Sequence, residues 1–483
     1  MNEFLNETPY IKDLIKYAKE KIIPFQCPGH KAGKAYHKTY KSILRKNLFE
    51  IETNEIPLID TFQNPQKSLK ISQDLMSKAY NTYKCYYIVG GSTISNHISI
   101  ISSVCEKDKI VIPRNSHKSI FSGLILSGAN PIFVYPNYDY EFNIDKNIEF
   151  EKIKEVVEKN DVSAVVITHP TYYGLSADIQ KIAEYLHKKS VLLIVDQAWG
   201  SHFRFHPFFP TCSTQTPAHI IVMSPHKTLF AFTQSSILHL NHSILNNFEY
   251  LVPKINQTVL MLNSTSPSPL LFASLDYTQY MLNNHVNVFE RLVEITNYTI
   301  KKIKQIDEEI IFPNDDKTKI VLNLSKYGLS GYELEQILVS KYRIQVEMSD
   351  LFNILILLTV GDRYKQVKFF INAIREIVHE LKMGTIKPNS VIRKISEYPD
   401  WPSLAISPRQ AYISRTREIP INQSIGKISA EIVTTYPPGI PILIPGEVIT
   451  KQIADYILCE IELGTKITGI NNIKERKIRV VDV

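Results

Sequence analysis

The chain has 483 residues, of which 44% are hydrophobic, and this length predicts two or three globular domains with a large core. Its 55 basic and 48 acidic residues leave a formal charge of +7, and no dense basic run predicts a nucleic-acid-binding face. The N-terminus has no apolar run long enough for a signal or membrane helix, and the five cysteines are scattered without a CxxC pair. These features argue against a metal site, a disulfide framework, and nucleic-acid or membrane partners, and they predict a cytoplasmic protein.

The N-terminal segment is expected to contain a helix followed by a polar loop. Thr8-Pro9 supplies a cap residue and a proline at the first helical position, and apolar residues then recur at helical spacing. The loop at 25–33 carries His30 and Lys31 between glycines, a pattern that is also typical of a surface turn. Asp60 follows a proline-containing turn further along the chain.

From residue 74 onward, predicted helices and strands alternate. Amphipathic helical segments are expected at 148–157 and 177–187. Strands are predicted at 85–89, 109–113, 131–135, 163–168, 191–195, 220–223 and 236–240. This alternation predicts an α/β domain with a mostly parallel sheet.

A smaller α+β unit is predicted to follow, with strands at 319–324, 344–348 and 354–359 and a helix at 364–381. The proline-rich run 436–441 forces an extended path that can bring a remote segment back over the α/β domain. We therefore divide the chain into an N-terminal segment (1–70), an α/β domain (71–310) and a C-terminal α+β domain (311–483).

The first candidate site lies where the strand at 85–89 ends in Gly90-Gly91-Ser92-Thr93. Glycines allow the backbone to approach a ligand, and amides and hydroxyls at a helix N-terminus bind phosphate. By itself this pattern is also that of an ordinary helix cap. Ser92 and Thr93 are the candidate phosphate ligands.

The second candidate site is Asp196, which follows the apolar run 191–195 directly. In a parallel sheet, functional residues lie at the carboxyl ends of strands. A carboxylate there can keep a ring nitrogen protonated, and the small Ala198 allows a flat ring to lie close. An aspartate at a strand end can equally cap a helix.

The third candidate site is Lys227, in the turn Ser224-Pro225-His226-Lys227 that follows the strand at 220–223. Rigid placement and partial desolvation are expected to lower its pKa and free the amine for imine chemistry. Ser224 and His226 lie on the same turn and are candidate phosphate ligands. A phosphate cradle, an acid for a pyridine nitrogen and a lysine, in this order, indicate pyridoxal 5'-phosphate with Lys227 as its Schiff-base residue.

At this point the chain resembles a known family, the Orn/Lys/Arg decarboxylases, in its short form without an N-terminal wing domain. The motifs that carry the resemblance extend over nearly the whole chain, at 28–31, 89–96, 113–119, 171–174, 196–202, 224–229, 264–268, 436–441 and 445–447. The resemblance implies fold type I, similar to aspartate aminotransferase, and a homodimer or larger homo-oligomer. It also implies that the loop with His30 and Lys31 contributes to the active-site region, whereas Cys27 departs from the family pattern and receives no role.

The resemblance also implies roles for several further residues. His117 is expected to stack on the cofactor ring opposite Ala198, so that the bond to the substrate carboxylate stands perpendicular to the ring. Thr265 is expected to reach the phosphate of a neighbouring subunit, or else to cap a helix. Trp199 and His202 are expected to line the site.

The distal cation of a basic amino acid needs an anion in the pocket, because a buried cation without a partner is costly. Glu447, just after the proline-rich run, is the first candidate and Asp60 is the second. A carboxylate exposed in a C-terminal turn is the alternative for Glu447. The family usually carries an acidic pair near Asp60, and the loss of its partner weakens that assignment.

The predicted function is pyridoxal-phosphate-dependent decarboxylation of a basic amino acid, yielding an amine for polyamine biosynthesis and CO₂. Arginine is favoured as the substrate, with lysine or ornithine as alternatives. Transamination on the same fold is a rival reaction. A catalytically silent regulatory homologue is a rival of another class, although such a protein would be expected to have lost Lys227 or Asp196.

Overall fold

The structure is a computed structural model that describes residues 19, 22–26, 28–49, 51–54, 60–388, 399–435, 439–462, 467–470 and 473–482. The helix predicted after Thr8-Pro9, Cys27 and the first half of the 436–441 run lie outside the described residues.

Strands and helices alternate through most of the described chain. The strands are β1 (Ile23–Phe25), β2 (Lys84–Ile88), β3 (Lys109–Pro113), β4 (Asn130–Val134), β5 (Tyr138–Asp139), β6 (Ile144–Asp145), β7 (Ala164–Thr168), β8 (Leu192–Asp196), β9 (Ile220–Met223), β10 (Ser236–Leu240), β11 (Lys319–Asn323), β12 (Ile344–Val346), β13 (Met348–Ser349), β14 (Asn353–Leu357), β15 (Thr416–Pro420), β16 (Val433–Thr435), β17 (Pro441–Leu443), β18 (Ile467–Thr468) and β19 (Lys477–Val481). The α-helices are α1 (Lys38–Asn47), α2 (Ser68–Tyr80), α3 (Gly91–Ser103), α4 (Lys118–Ser127), α5 (Phe150–Lys159), α6 (Ile179–Lys188), α7 (Pro225–Thr228), α8 (Ile244–Asn247), α9 (Leu251–Leu262), α10 (Pro269–Asn284), α11 (Val288–Lys304), α12 (Gly331–Tyr342), α13 (Tyr364–Lys382), α14 (Pro408–Ile413) and α15 (Lys451–Glu462).

The centre of the fold is a seven-stranded sheet in the order β2-β10-β9-β8-β7-β3-β4. Strands β9, β8, β7, β3 and β4 run parallel, and β10 is antiparallel to both β9 and β2. Residues 192–196 are buried throughout, as expected for a strand covered on both faces by helices. The predicted α/β domain with a mostly parallel sheet is confirmed.

A second sheet of three antiparallel strands, β11-β14-β13, follows in the chain. The predicted strand at 344–348 is divided here, because β12 leaves this sheet and pairs in parallel with β1 near the N-terminus. The predicted helix at 364–381 is α13. Apolar residues of this unit join those of the seven-stranded sheet in one continuous core.

The last part of the chain adds two small sheets, β15-β19 and β17-β16-β18. Its apolar residues, among them Val433, Leu443, Ile453 and Val480, form a separate core cluster. The boundaries 1–70, 71–310 and 311–483 remain predictions. Within the described ranges, no helix combines the length and the apolar character that a membrane span requires.

Candidate active site

A cavity of about 330 Å³ lies at the carboxyl edge of the central sheet. Thr168 and Asp196, the last residues of β7 and β8, line it, as does the turn that follows β9. The predicted site residues in its lining are Ser92, Thr93, His117, Asp196, Ala198, Trp199, Ser224, His226 and Lys227. The edge where parallel strands end therefore gathers most of the residues predicted from sequence.

Lys227 enters the cavity from a short helical turn, α7, whose first residue is Pro225. The proline suits the first helical position because it has no N–H to leave unpaired. The Lys227 backbone N–H donates to the carbonyl of Ser224, which fixes the turn. The amine lies 4.0 Å from the centroid of the Trp199 ring, within the range of a cation–π contact.

Asp196 is buried, and each of its carboxylate oxygens accepts one hydrogen bond. The Asn96 side-chain amide donates to Oδ2 at 2.9 Å, and the Ala198 backbone N–H donates to Oδ1 at 3.1 Å. Burial raises the pKa of Asp196, and Lys227 opposes that effect. These contacts hold the carboxylate in one orientation and leave it lone pairs for a protonated ligand nitrogen.

Gly91 and the hydroxyls of Ser92, Ser224 and Ser236 form a polar cradle, of which Gly91, Ser92 and Ser224 line the cavity. Gly91 has φ +69°, a left-handed conformation that favours glycine, and it begins helix α3. The hydroxyl of Ser92 lies 2.5 Å from that of Ser224 and 3.1 Å from that of Ser236. First-turn N–H groups of a helix have no carbonyl partner within the helix, so this end of the cavity suits a phosphate.

His117 caps helix α4 and lines the cavity. Its Nδ1 lies 2.8 Å from the Ser119 hydroxyl and accepts from the Ser119 backbone N–H at 3.3 Å. Burial and then the nearby Lys227 lower the pKa of His117 to about 3, so the imidazole is neutral at pH 7. A neutral planar ring is suited to stacking and unsuited to donating a proton from a charged state.

His226 also lines the cavity, and its Nδ1 lies 2.6 Å from the carbonyl of Ser235. A carbonyl only accepts, so Nδ1 carries the proton and Nε2 of the neutral ring is an acceptor. Burial followed by Lys227 lowers the pKa of His226 to about 4. His226 can therefore donate to a phosphate through Nε2 only if the anion draws a second proton onto the ring.

Trp199 forms a wall of the cavity between two lysines and a tyrosine. The Tyr172 ring meets it nearly edge-on, with centroids 4.9 Å apart. Lys319 Nζ lies 4.3 Å from the Trp199 centroid, close to the 4.0 Å of Lys227. Lys319 was not predicted as a site residue, although a lysine opening the apolar strand β11 was an available signal.

His202 is buried and is absent from the described cavity lining, which corrects its predicted place in the site. Its Nε2 lies 3.4 Å from Asp316 Oδ1 and 3.5 Å from the Thr318 hydroxyl. Burial alone would raise the pKa of Asp316, yet His202 and Lys319 bring it below its usual value. The imidazole belongs to this buried polar group behind Trp199.

Glu447 is the second correction, because its carboxylate is fully buried and paired within the chain. Arg114 donates to both carboxylate oxygens at 2.9 Å, and the Ile444 backbone N–H donates at 2.9 Å. This bidentate pairing leaves the carboxylate no role as the partner of a substrate cation. Glu447 is absent from the described cavity lining.

Asp60 is the third correction, since it closes a turn before helix α2. Its Oδ2 accepts from the backbone N–H groups of Lys67, Leu69 and Lys70, and its Oδ1 accepts from those of Thr61 and Gln66. Burial acts to raise the pKa of Asp60, but these hydrogen bonds lower it overall. Asp60 stabilises the start of a helix and does not line the described cavity.

Thr265 is exposed and also lies outside the described lining of the cavity. Its predicted contact with a phosphate requires a second subunit, so that contact remains a prediction.

Asn96 and Asp145 are among the polar residues of the cavity that sequence reasoning missed. Asn96 orients Asp196 and stands one helical turn after Ser92, a spacing that was an available signal. Asp145 ends the short strand β6 after a chain reversal, and no motif in the sequence indicates that it lines the cavity.

The residues present fit pyridoxal phosphate. Besides the oriented Asp196, two buried cavity atoms, Asn96 Oδ1 and Thr168 Oγ1, have no hydrogen-bond partner within the described residues. Unpaired buried polar atoms are costly, and a polar ligand would satisfy them. The serine cradle, the acid and the lysine together match a phosphate, a pyridine nitrogen and an aldehyde.

Fold and site together define a fold type I pyridoxal-phosphate enzyme. Family models described as Orn/Lys/Arg decarboxylase, major domain, and Orn/Lys/Arg decarboxylase, C-terminal domain, match residues 8–321 and 393–474. The chain belongs to this family of amino-acid decarboxylases, and pyridoxal 5'-phosphate is its cofactor.

Known proteins agree with this placement. An arginine decarboxylase of Bacillus anthracis is 33% identical over 489 residues, covering 98% of this chain and 97% of the relative. The structure of the constitutive lysine decarboxylase of E. coli has a TM-score of 0.76 at 21% identity, covering 100% of this chain and 83% of that one. A structure described as SPT with PLP has a TM-score of 0.55 at 13% identity, covering 76% and 89%. The two structures show the fold alone.

Proposed function

We propose that this enzyme decarboxylates arginine, producing the corresponding amine and CO₂ for polyamine biosynthesis. Lysine and ornithine are the alternative substrates within the family. The choice of arginine is supported by the full-length relatives named arginine decarboxylase from Bacillus anthracis and Bacillus subtilis, each 33% identical.

Bound pyridoxal phosphate supplies an electron sink for the electron pair left behind when a substrate carboxylate departs as CO₂. We assign Lys227 as the residue that holds the cofactor covalently and Asp196 as the acceptor for its protonated ring nitrogen. Asn96 and the Ala198 N–H keep Asp196 oriented for that role. Gly91, Ser92, Thr93, Ser224 and His226 would surround the phosphate.

His117 and Ala198 are assigned to opposite sides of the cofactor plane. The neutral His117 ring is fixed by Ser119, so it can orient a flat ligand without competing for its protons. The rings of Trp199 and Tyr172 form an adjacent wall of the cavity.

The observation that carries this proposal is the meeting of Lys227 and Asp196 in one cavity with the serine cradle. Burial raises the pKa of Asp196, and Lys227 counteracts that rise, so the two groups act on each other electrostatically. An acid held beside a lysine in this way is the pair that pyridoxal chemistry requires.

The first test offers arginine, lysine and ornithine separately to the cofactor-loaded protein and measures amine and CO₂. Borohydride reduction followed by peptide mass spectrometry should locate the cofactor on Lys227 in the wild type and in Lys319→Met, a matched control because both amines lie close to Trp199. Lys227→Ala should lose the label and at least about 1000-fold of the activity.

Three results would contradict the proposal: an oxo acid in place of the amine, a label on Lys319, or full turnover by Lys227→Ala.

We also propose a homodimer in which the exposed Thr265 contacts the cofactor phosphate of the neighbouring subunit. Light scattering on the same preparation should give twice the chain mass of 55.4 kDa, and a monomer would exclude that role.

A further inference from the structure

The cavity contains a carboxylate that the assignments above leave unused. Its lining includes two acids among the described residues, Asp145 and Asp196. Both oxygens of Asp196 are engaged by Asn96 and Ala198. The Asp145 carboxylate, in contrast, makes no hydrogen bond or ion pair with any residue that the structure describes.

Asp145 is held in place by its backbone. It is the last residue of β6, whose partner strand β5 places Tyr138 opposite it. The two residues that follow Asp145 are also held, since Asn115 donates to the Lys146 carbonyl and Asn147 donates to the carbonyls of Thr168 and Leu175. The hairpin therefore presents Asp145 at a fixed position beside the ends of β3 and β7.

No Lys, Arg or His of the described residues forms an ion pair with Asp145. Burial raises its pKa to about 7, and Arg114, which acts in the opposite sense, already binds Glu447 through two hydrogen bonds. Asp145 and Asp350 both act to raise the pKa of Tyr138, so the second carboxylate brings no positive charge to this region, and it accepts from the Tyr173 hydroxyl at 2.6 Å. A half-buried carboxylate in this setting is costly until a cation pairs with it.

We propose that Asp145 binds the distal cation of the substrate and so determines the preference of this enzyme for basic amino acids. The inference rests on the proposed function and deepens it, since Glu447 and Asp60 are both engaged elsewhere. A carboxylate can take two parallel hydrogen bonds from a planar guanidinium, and an ammonium offers no such fork. The Asp145 carboxylate is therefore expected to bind the guanidinium of arginine more tightly than the ammonium of lysine.

The test compares cofactor-loaded wild type, Asp145→Asn and Asp145→Glu on arginine, lysine and ornithine, and on the neutral analogues citrulline and norleucine. Asp145→Asn should lower kcat/KM for the basic substrate by about 30-fold or more, mainly through KM, because one partner of a buried charge pair is lost. Its preference for arginine over citrulline should fall by the same factor. Calorimetry with agmatine, the amine from arginine, should show the same loss of affinity.

Asp139→Asn is the matched control, since Asp139 lies on the partner strand of the same hairpin and pairs with Lys146. It should leave kcat/KM, substrate preference and agmatine binding unchanged. Asp145→Glu keeps the charge and should retain the discrimination against citrulline while shifting preference toward the shorter ornithine. If Asp145→Asn does not fold, unchanged preference among basic substrates in Asp145→Glu overturns the assignment.

The outcomes separate the two proposals. Decarboxylation by the wild type with unchanged selectivity and agmatine affinity in Asp145→Asn would overturn the role of Asp145 and leave the proposed function standing. A wild type that decarboxylates none of the three basic amino acids would overturn the proposed function and the Asp145 assignment with it.

Discussion

The amines of Lys227 and Lys319 both lie near the Trp199 ring, but they have different environments. Lys227 reaches the cavity, whereas Lys319 donates to the carbonyls of Thr171 and Tyr172 behind it. Burial lowers the pKa of Lys319 to about 7, although Asp316 acts in the opposite direction. Because Thr171 and Tyr172 line the cavity, Lys319 supports the wall that faces the substrate.

The first prediction concerns the pH dependence of stability through Lys319. Its pKa is about 7 in the folded chain and 10.5 ordinarily, so between these pH values the unfolded chain binds more protons. The free energy of unfolding should therefore rise with pH across this window. The stability gained in this way is lost as the pH falls back from 10.5 to about 7. Between about pH 7 and about pH 9, wild type should gain about 2 kcal/mol relative to Lys319→Met in urea unfolding.

Lys188→Met, a substitution of an exposed lysine on α6, is the control for this measurement. The difference in the free energy of unfolding between Lys188→Met and wild type should be the same at both pH values. A Lys319→Met difference that is equally flat would show that Lys319 titrates as an ordinary solvated lysine.

At the scale of elements, the loop at 28–31 supports the lysine turn from behind. The Gly29 N–H donates to the carbonyl of His226 at 2.8 Å, and the Thr359 hydroxyl donates to the Gly29 carbonyl at 2.7 Å. Lys31 is buried and lies 3.9 Å from Asp362. The loop links the C-terminal half of the chain to the catalytic turn, and neither His30 nor Lys31 is in the described cavity lining.

The second prediction follows from the close approach of Gly29 to that turn. A Cβ at this position would lie 2.6 Å from the Leu229 carbonyl oxygen and 2.8 Å from the Thr228 carbonyl carbon, both backbone atoms. Gly29→Ala should therefore destabilise the protein by about 1–3 kcal/mol and reduce the cofactor bound at Lys227. Urea unfolding and the visible absorbance of the bound cofactor measure the two effects.

Gly123→Ala on α4 provides the comparison, because its Cβ would lie nearest to the end of the flexible Ile100 side chain on α3 and not to a backbone atom. It should retain the cofactor. Equal cofactor occupancy in Gly29→Ala and wild type would show that the loop does not position the turn.

At the scale of the whole molecule, Arg114 and Glu447 connect the central sheet to the C-terminal part of the chain. Both side chains are fully buried, and Arg114 also donates to the carbonyls of Pro441 and Ile442. A buried pair contributes little net stability relative to apolar residues, but removal of one partner leaves an uncompensated charge. The pair therefore fixes which segment packs against the end of β3.

The third prediction concerns this pair. Glu447→Gln should lower the free energy of unfolding by about 3–5 kcal/mol, because Arg114 then remains buried without its counter-charge. The double variant Arg114→Met with Glu447→Met should lose less stability than the single one. Urea unfolding measures both variants, and the folded Glu447→Gln protein should keep the wild-type ratio of kcat/KM for arginine and citrulline. A stable Glu447→Gln protein that loses this selectivity would make Glu447 the substrate ligand.

The amino-acid sequence by itself determined the central sheet and the positions of Ser92, Asp196 and Lys227. Each stands at a strand end, and the ends of covered parallel strands meet at one edge. The local pattern was sufficient there because strand, turn and helix start are encoded by neighbouring residues.

Only the tertiary structure decided which acids face the cavity. Glu447 is bound by an arginine 333 residues away, and Asp145 reaches the site through a short hairpin without a motif of its own. Side-chain identity gives the charge of a carboxylate, but its role depends on whether distant parts of the chain supply its partner. For this enzyme, that difference separates an acid that holds the fold together from the one we propose for the substrate.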